Sequence, residues 1–251
     1  MLEEAAAAVV SALERIGDWG PAGTRPGQYH SDLVADEAVL AVLHRAGLRV
    51  LSEESALTEP AGGARPVAGA TGALAVVDPI DGSTNASRGI PWYATSLCVL
   101  DGDGPFVALV VNLATGSRYS AVRGEGARRD GLFIRPSGCR DLSSAIVGVS
   151  GYPRRYLGWK QFRALGAVAL DLCAVADGTL DGYVDFGRDA HGGWDFLGGM
   201  LVCSEAGGAV FDALGRSLVV RSQKERRTPV AAASETLART LVEARRSAYE
   251  S

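Results

Sequence analysis

Asp78 and Asp81 stand three residues apart at the end of the apolar run Leu74-Ala75-Val76-Val77, within the octet Asp78-Pro79-Ile80-Asp81-Gly82-Ser83-Thr84-Asn85. A β-rich run closed by Pro and Gly predicts a strand ending in a turn. Hard oxygen ligands at that strand end suit a divalent cation. Gly82, Ser83 and Thr84 then offer unhindered backbone N–H groups, and a helix that starts there favours a phosphate at its N-terminus. Taken alone, the octet also has the composition of an ordinary acidic turn.

Two further acidic clusters weigh against the ordinary turn. Leu51-Ser52-Glu53-Glu54-Ser55 follows a short apolar run, Leu48 to Leu51, and Gly193-Trp194-Asp195-Phe196-Leu197-Gly198-Gly199 opens an apolar-periodic segment that closes on Glu205-Ala206-Gly207-Gly208. Magnesium takes oxygen ligands and keeps several waters, so a site completed by phosphate oxygens needs only a few carboxylates. Glu53, Asp78, Asp81 and Asp195 are of the right type and number.

The Glu-Glu pair, the Asp-Pro-Ile-Asp-Gly-Ser box and the Trp-Asp box ending in Glu-Ala-Gly-Gly occur in the order found in the inositol monophosphatase family of magnesium-dependent, lithium-sensitive phosphatases, which the chain resembles. Gly124-Glu125-Gly126-Ala127 with Asp130-Gly131, and the segment Leu170 to Gly178, are similar to a hairpin and a later helix of the same family. The resemblance implies an α+β fold layered α/β/α/β/α, as in the inositol monophosphatase and fructose-1,6-bisphosphatase type. It implies an N-terminal half, 1–135, with the first two boxes and a C-terminal half, 136–251, with the third, in one unit.

It also implies two or three Mg2+ ions. Glu53, Asp78 and the Ile80 carbonyl would hold the first, and Asp78, Asp81 and Asp195 the second. Asp36, or alternatively Asp32, would support the Ser83 hydroxyl in orienting the attacking water, with Glu53 also catalytic. Gly82, Ser83 and Thr84 would hold phosphate, while Gly166, Ala167, Val168 and Asp185 would face the substrate's hydroxyls. The expected activity is hydrolysis of a small polyol or sugar monophosphate, inositol 1-phosphate first. Fructose 1,6-bisphosphate or histidinol phosphate are alternatives, the former because Ser87 to Tyr93 resembles archaeal relatives. A non-catalytic binder of phosphorylated ligands or a regulatory protein is the alternative of another class. Relatives are often dimers, so a homodimer is expected. The segment between Asp185 and Asp195 looks longer than in animal inositol phosphatases.

Composition narrows the classes independently. With 251 residues, 47% apolar and 22% charged, the chain can bury a large core. A net charge of -4 argues against a nucleic-acid partner. No apolar run reaches membrane-spanning length, and Glu3 and Glu4 stand where a signal peptide carries positive charge, so a cytoplasmic protein is expected. Cys98, Cys139, Cys173 and Cys203 lack zinc-site spacing and fit buried free thiols. There is no nucleophile elbow or HExxH pattern, and His30, His44 and His191 read as surface residues or as neighbours of the ligands.

The elements that must position these groups follow from periodicity. Helices are predicted over Met1 to Ile16, from about Asp32, over Phe162 to Ala176, from Asp195 to Ala206 and from Ser234. An antiparallel sheet is predicted from Thr95–Leu100, Phe106–Asn112, Arg118–Arg123 and Ala145–Val149, with further strands at Tyr183–Phe186 and Val230–Ala233. Residues 60–73, rich in Gly and Pro, read as a loop that could act as a lid.

Overall fold

In the computed structural model, which describes residues 1–23, 25–60 and 72–249, hydrophobic alternation along the strands sorts side chains into three cores. Strands β1 (Arg49–Ser52), β2 (Ala56–Thr58), β3 (Leu74–Asp81), β4 (Ala94–Asp101), β5 (Gly104–Asn112), β6 (Arg118–Val122), β7 (Ala127–Arg129) and β8 (Leu132–Phe133) form one sheet in the order β2-β1-β3-β4-β5-β6-β7-β8. Strands β9 (Ile146–Ser150), β10 (Gln161–Arg163), β11 (Gly182–Asp185), β12 (Ala209–Asp212) and β13 (Pro229–Ala232) form a second, in the order β10-β9-β11-β13-β12. The expected loop over 60–73 lies, but for its ends, outside the described residues.

On β3, Ala75 and Val77 face a core built with helices α1 (Leu2–Leu13) and α2 (His30–Arg45), while Leu74 and Val76 face the opposite core. That second core is filled by α4 (Val168–Ala176) and α5 (Gly193–Ala206), and on its far side it meets Tyr183 of β11 and Ala231 of β13. Their neighbours Val184, Val230 and Ala232 point the other way, onto α6 (Glu235–Ser247). A period of two on buried strands thus generates five layers, helices–sheet–helices–sheet–helix. This is the α/β/α/β/α sandwich expected from the sequence.

Two expectations need correction. The helix predicted from Phe162 begins only at Val168, because Gly166 takes a left-handed φ of +87° and Ala167 is extended. Residues 161–163 instead form the edge strand β10, and the helical spacing of Leu165 to Val168 was coincidental. The strand at Ala145–Val149 does not join the antiparallel sheet: β9 belongs to the second sheet and runs parallel to both β10 and β11. Four strands, β2, β7, β8 and β12, are short pieces that periodicity missed.

The middle helices sit close because of glycine. A Cβ at Gly198 would lie 2.7 Å from Ser96 Oγ on β4, and one at Gly199 would lie 2.6 Å from the Ala169 carbonyl on α4. The N-terminus of α5, with Asp195 in its first turn, is therefore pressed between the sheet carrying Asp78 and the helix preceded by Gly166 and Ala167. Among the described residues no helix is long and apolar enough to cross a membrane. All four cysteines are free, with Cys98, Cys173 and Cys203 buried and Cys139 half-buried.

A candidate metal centre between the two sheets

Strand β3 is buried along its whole length, carboxylates included. Alternation would send Asp78 and Asp81 to opposite faces, but the pairing of β3 with β4 is irregular between them. A bulge there, at a proline that has no N–H to offer the ladder, re-aims the second carboxylate. Asp78 Oδ1 accepts a hydrogen bond from Ile80 N at 3.0 Å. Parallel pairing of β1 with β3 sets Glu53 beside this bulge, its N–H donating to the Val77 carbonyl at 3.2 Å.

Glu53, Asp78 and Asp195 each place a ligand atom within 4.8 Å of the others. An all-oxygen, carboxylate-rich set of this size fits a hard divalent cation. Asp81 is a neighbour of this trio and not a member of it. Its Oδ2 accepts the Ala169 N–H at 2.6 Å, at the first turn of α4. Asp195 is nevertheless the leading charge that acts on it.

Burial first, and then repulsion from neighbouring carboxylates, push Glu53, Asp78 and Asp81 up. Glu53 rises to about 8, with Asp195 and Glu54 as the main neighbouring charges. Asp78 rises through burial and then Glu53, and Asp81 through burial and then Asp195. Such crowding of like charge in a dry interior is what a cation would relieve.

Around the trio the expected residues divide. Gly82 caps helix α3 (Ser83–Arg88) with a left-handed φ of +87°, and a Cβ on it would lie 3.1 Å from Ala167 Cβ and 3.2 Å from the Gly166 carbonyl. Gly82, Gly166 and Ala167 are thus brought together, with Val168 opening α4. Asn85 Nδ2 ties the two turns, donating to the Leu165 and Trp92 carbonyls, both at 2.8 Å. The N–H groups of Ser83 and Thr84 fall in the first turn, where a helix offers no partner of its own. Tyr29 Oη lies 3.2 Å from Thr84 Oγ1 and docks the start of α2 on that turn.

The two candidate helper aspartates have different partners. Asp36 is engaged by Ser52 Oγ at 2.5 Å. It is Asp32 on which Ser83 acts, along with Tyr29 N, which donates to Oδ2 at 2.8 Å. Asp32 Oδ1 is buried without a hydrogen-bond partner, and burial pushes this carboxyl up to about 7. Of the two candidates, Asp32 is thus the one on which Ser83 bears, while Asp36 is taken up by Ser52.

Asp185, at the end of β11, is fully buried, and its Oδ1 accepts from Gly187 N at 2.6 Å. His191 lies between Asp185 and Asp195, with Nε2 3.5 Å from Asp185 Oδ2 and Nδ1 3.5 Å from Asp195 Oδ2. Burial lowers its pKa, but the two carboxylates outweigh burial and raise it to about 10.

Several contributors had no sequence signal beyond their type. Arg25 pairs with Glu54 at 2.7 Å, and both Arg25 and Gln223 reach the Glu53 carbonyl at 3.4 Å, so two remote loops fix the Glu-Glu turn. Trp92 Nε1 donates to the buried Asp171 at 2.9 Å. Arg245 on α6 donates to the Asp185 and Gly187 carbonyls at 2.5 and 2.7 Å. Only His191 left a trace, in the added length between Asp185 and Asp195. Glu205 serves structure, accepting from Gly124 and Gly126 N–H at 3.0 Å.

A two-sheet sandwich with a carboxylate-lined candidate cation site at the ends of its strands defines the class. Residues 24–249 match the profile of the inositol monophosphatase family. A fructose-1,6-bisphosphatase/inositol-1-monophosphatase from Archaeoglobus fulgidus is 34% identical over 237 residues, covering 92% of this chain and 88% of that protein. Nus factor SuhB of Escherichia coli K12 is 34% identical over 155 residues, 56% of this chain and 57% of that one. Among solved structures, a hypothetical protein from Pyrococcus horikoshii with similarities for inositol-1 monophosphatase superposes with a TM-score of 0.81 at 24% identity, covering 97% and 94% of the two chains. The chain belongs to the inositol monophosphatase family.

Proposed function

We propose that this protein is a magnesium-dependent phosphomonoester hydrolase acting on a small phosphorylated polyol or sugar, inositol 1-phosphate being the first substrate to test. The observation that carries this reading is the convergence of Glu53, Asp78 and Asp195 within 4.8 Å, with Asp81 adjoining. Bound there, Mg2+ would lower the pKa of a water, neutralise phosphate charge and stabilise the leaving oxygen.

The chain's own residues have separable tasks. The Gly82 turn and the first N–H groups of α3 receive phosphate oxygens. Ser83 orients a water through its hydroxyl, and Asp32, whose buried Oδ1 has no hydrogen-bond partner in the fold, is placed to accept from that hydroxyl. Gly166 and Ala167 form the opposite wall against Gly82. Glu54, paired with Arg25, holds the turn that presents Glu53.

A second reading within the fold is favoured by the relatives. Besides the Archaeoglobus protein, a Thermococcus kodakarensis relative, 36% identical over 85% of this chain and 80% of its own length, also bears the double name fructose-1,6-bisphosphatase/inositol-1-monophosphatase. The Nus factor name of other relatives raises a regulatory reading. Phosphate release from inositol 1-phosphate, fructose 1,6-bisphosphate and histidinol phosphate, with and without Mg2+, separates the three. Release from none of them, at any cation concentration, refutes the hydrolase reading.

A further inference from the structure

The reading of Glu53, Asp78 and Asp195 as a cation site has a corollary in the segment between Asp185 and Asp195. This segment is anchored at several points. Asp189 adopts a left-handed φ of +52°, donates its N–H to Thr228 Oγ1 at 3.3 Å and pairs with Arg216 at 2.7 Å. His191 exchanges backbone hydrogen bonds with Arg227 in both directions, at 3.4 and 2.8 Å.

The backbone so fixed delivers one imidazole between two carboxylates. Nε2 of His191 and Oδ2 of Asp185 are each buried without a hydrogen-bond partner, and they face each other at 3.5 Å. On the other edge of the ring, Nδ1 faces Asp195 Oδ2 at 3.5 Å, and the same oxygen accepts the Gly192 N–H at 2.7 Å. Asp195 Oδ2 is therefore held from two sides.

We infer that His191 is a positioning residue for the cation ligand Asp195: with Asp185 as its backstop, the ring fixes Asp195 Oδ2 and so directs the remaining donor positions of that carboxylate toward Glu53 and Asp78. Neighbours that orient a metal's ligands in this way typically contribute 10- to 100-fold in affinity. Asp185, sealed behind the ring, acts on the cation centre through His191.

The test is calorimetric titration of the full-length, cation-free protein with Mg2+, and with Mn2+ as a second probe, alongside thermal melts in the absence of cation. His191→Ala and the volume-filling His191→Phe are expected to weaken cation binding by roughly 10- to 100-fold. His191→Gln, which keeps a donor, is expected to recover part of it. A purely structural role would lower the cation-free melting temperature and leave the affinity alone. Wild-type affinity in folded His191→Phe overturns the inference while the cation site stands, provided Asp78→Asn abolishes binding. Absence of any binding by the wild-type protein overturns the site itself.

Discussion

Each carboxylate of the centre is held by a different device, and the devices predict different losses. Asp195 supplies a ligand atom to the trio, while Asp81 sits beside it with Oδ2 on the Ala169 N–H. Asp195→Asn and Asp81→Asn are both expected to fold, as judged by circular dichroism, and to lose at least about 10- to 100-fold in phosphate-release rate, the range that residues behind metal ligands are worth. Glu53 gives a pH prediction. Its folded pKa, about 8, lies above the ordinary 4.5, so its contribution to the stability of the cation-free fold is complete below about pH 4.5 and is lost as pH climbs to about 8. A cation that requires the ionised form displaces that proton, so apparent Mg2+ affinity rises with pH up to about 8 and then levels. Titrations in buffers of different ionisation enthalpy, from about pH 6 to about pH 9, measure the released proton directly. The trio was legible in the sequence because its members sit in three short boxes of unusual composition. Arg25 and Gln223 were not, since each reaches the site only through a tertiary approach that leaves no local pattern.

At the scale of elements, the centre depends on how tightly α5 and α4 pack. Gly199→Ala would set a methyl 2.6 Å from the Ala169 carbonyl and 2.8 Å from Leu172 Cβ, both on α4. Overpacking of this kind is expected to cost about 1–3 kcal/mol in urea denaturation. Trp92→Phe removes the indole donor to Asp171, which is 1% exposed, and is expected to cost about 1–3 kcal/mol by weakening the satisfaction of a buried acceptor. Strand positions were readable wherever both faces are apolar, as on β4 and β5. Sheet membership was not: nothing local distinguishes β9, with parallel neighbours, from the antiparallel strands before it. The start of α4 was misplaced because Leu165 and Val168 share a helical spacing, while Gly166 between them supplies the left-handed turn that ends the approach.

For the molecule as a whole, the cation should behave as part of the fold. A ligand bound only by the native state at about 100 times its Kd adds ~2.7 kcal/mol. For a chain of this size that corresponds to a rise of roughly 5–10 °C in melting temperature on adding Mg2+. The Asp78→Asn protein is expected to show no such rise. Composition supported only a mixed fold of helices and strands; the five layers came from the resemblance, because layer order depends on contacts between residues more than a hundred positions apart. A shorter-range contact ties α6 to the segment that follows β11. Arg245, in the last turn of α6, grips the backbone on either side of Phe186. Until α6 docks, the segment that carries His191 toward Asp195 therefore lacks its anchor at Asp185 and Gly187, and loosening of that helix should be felt at the far side of the acidic cluster.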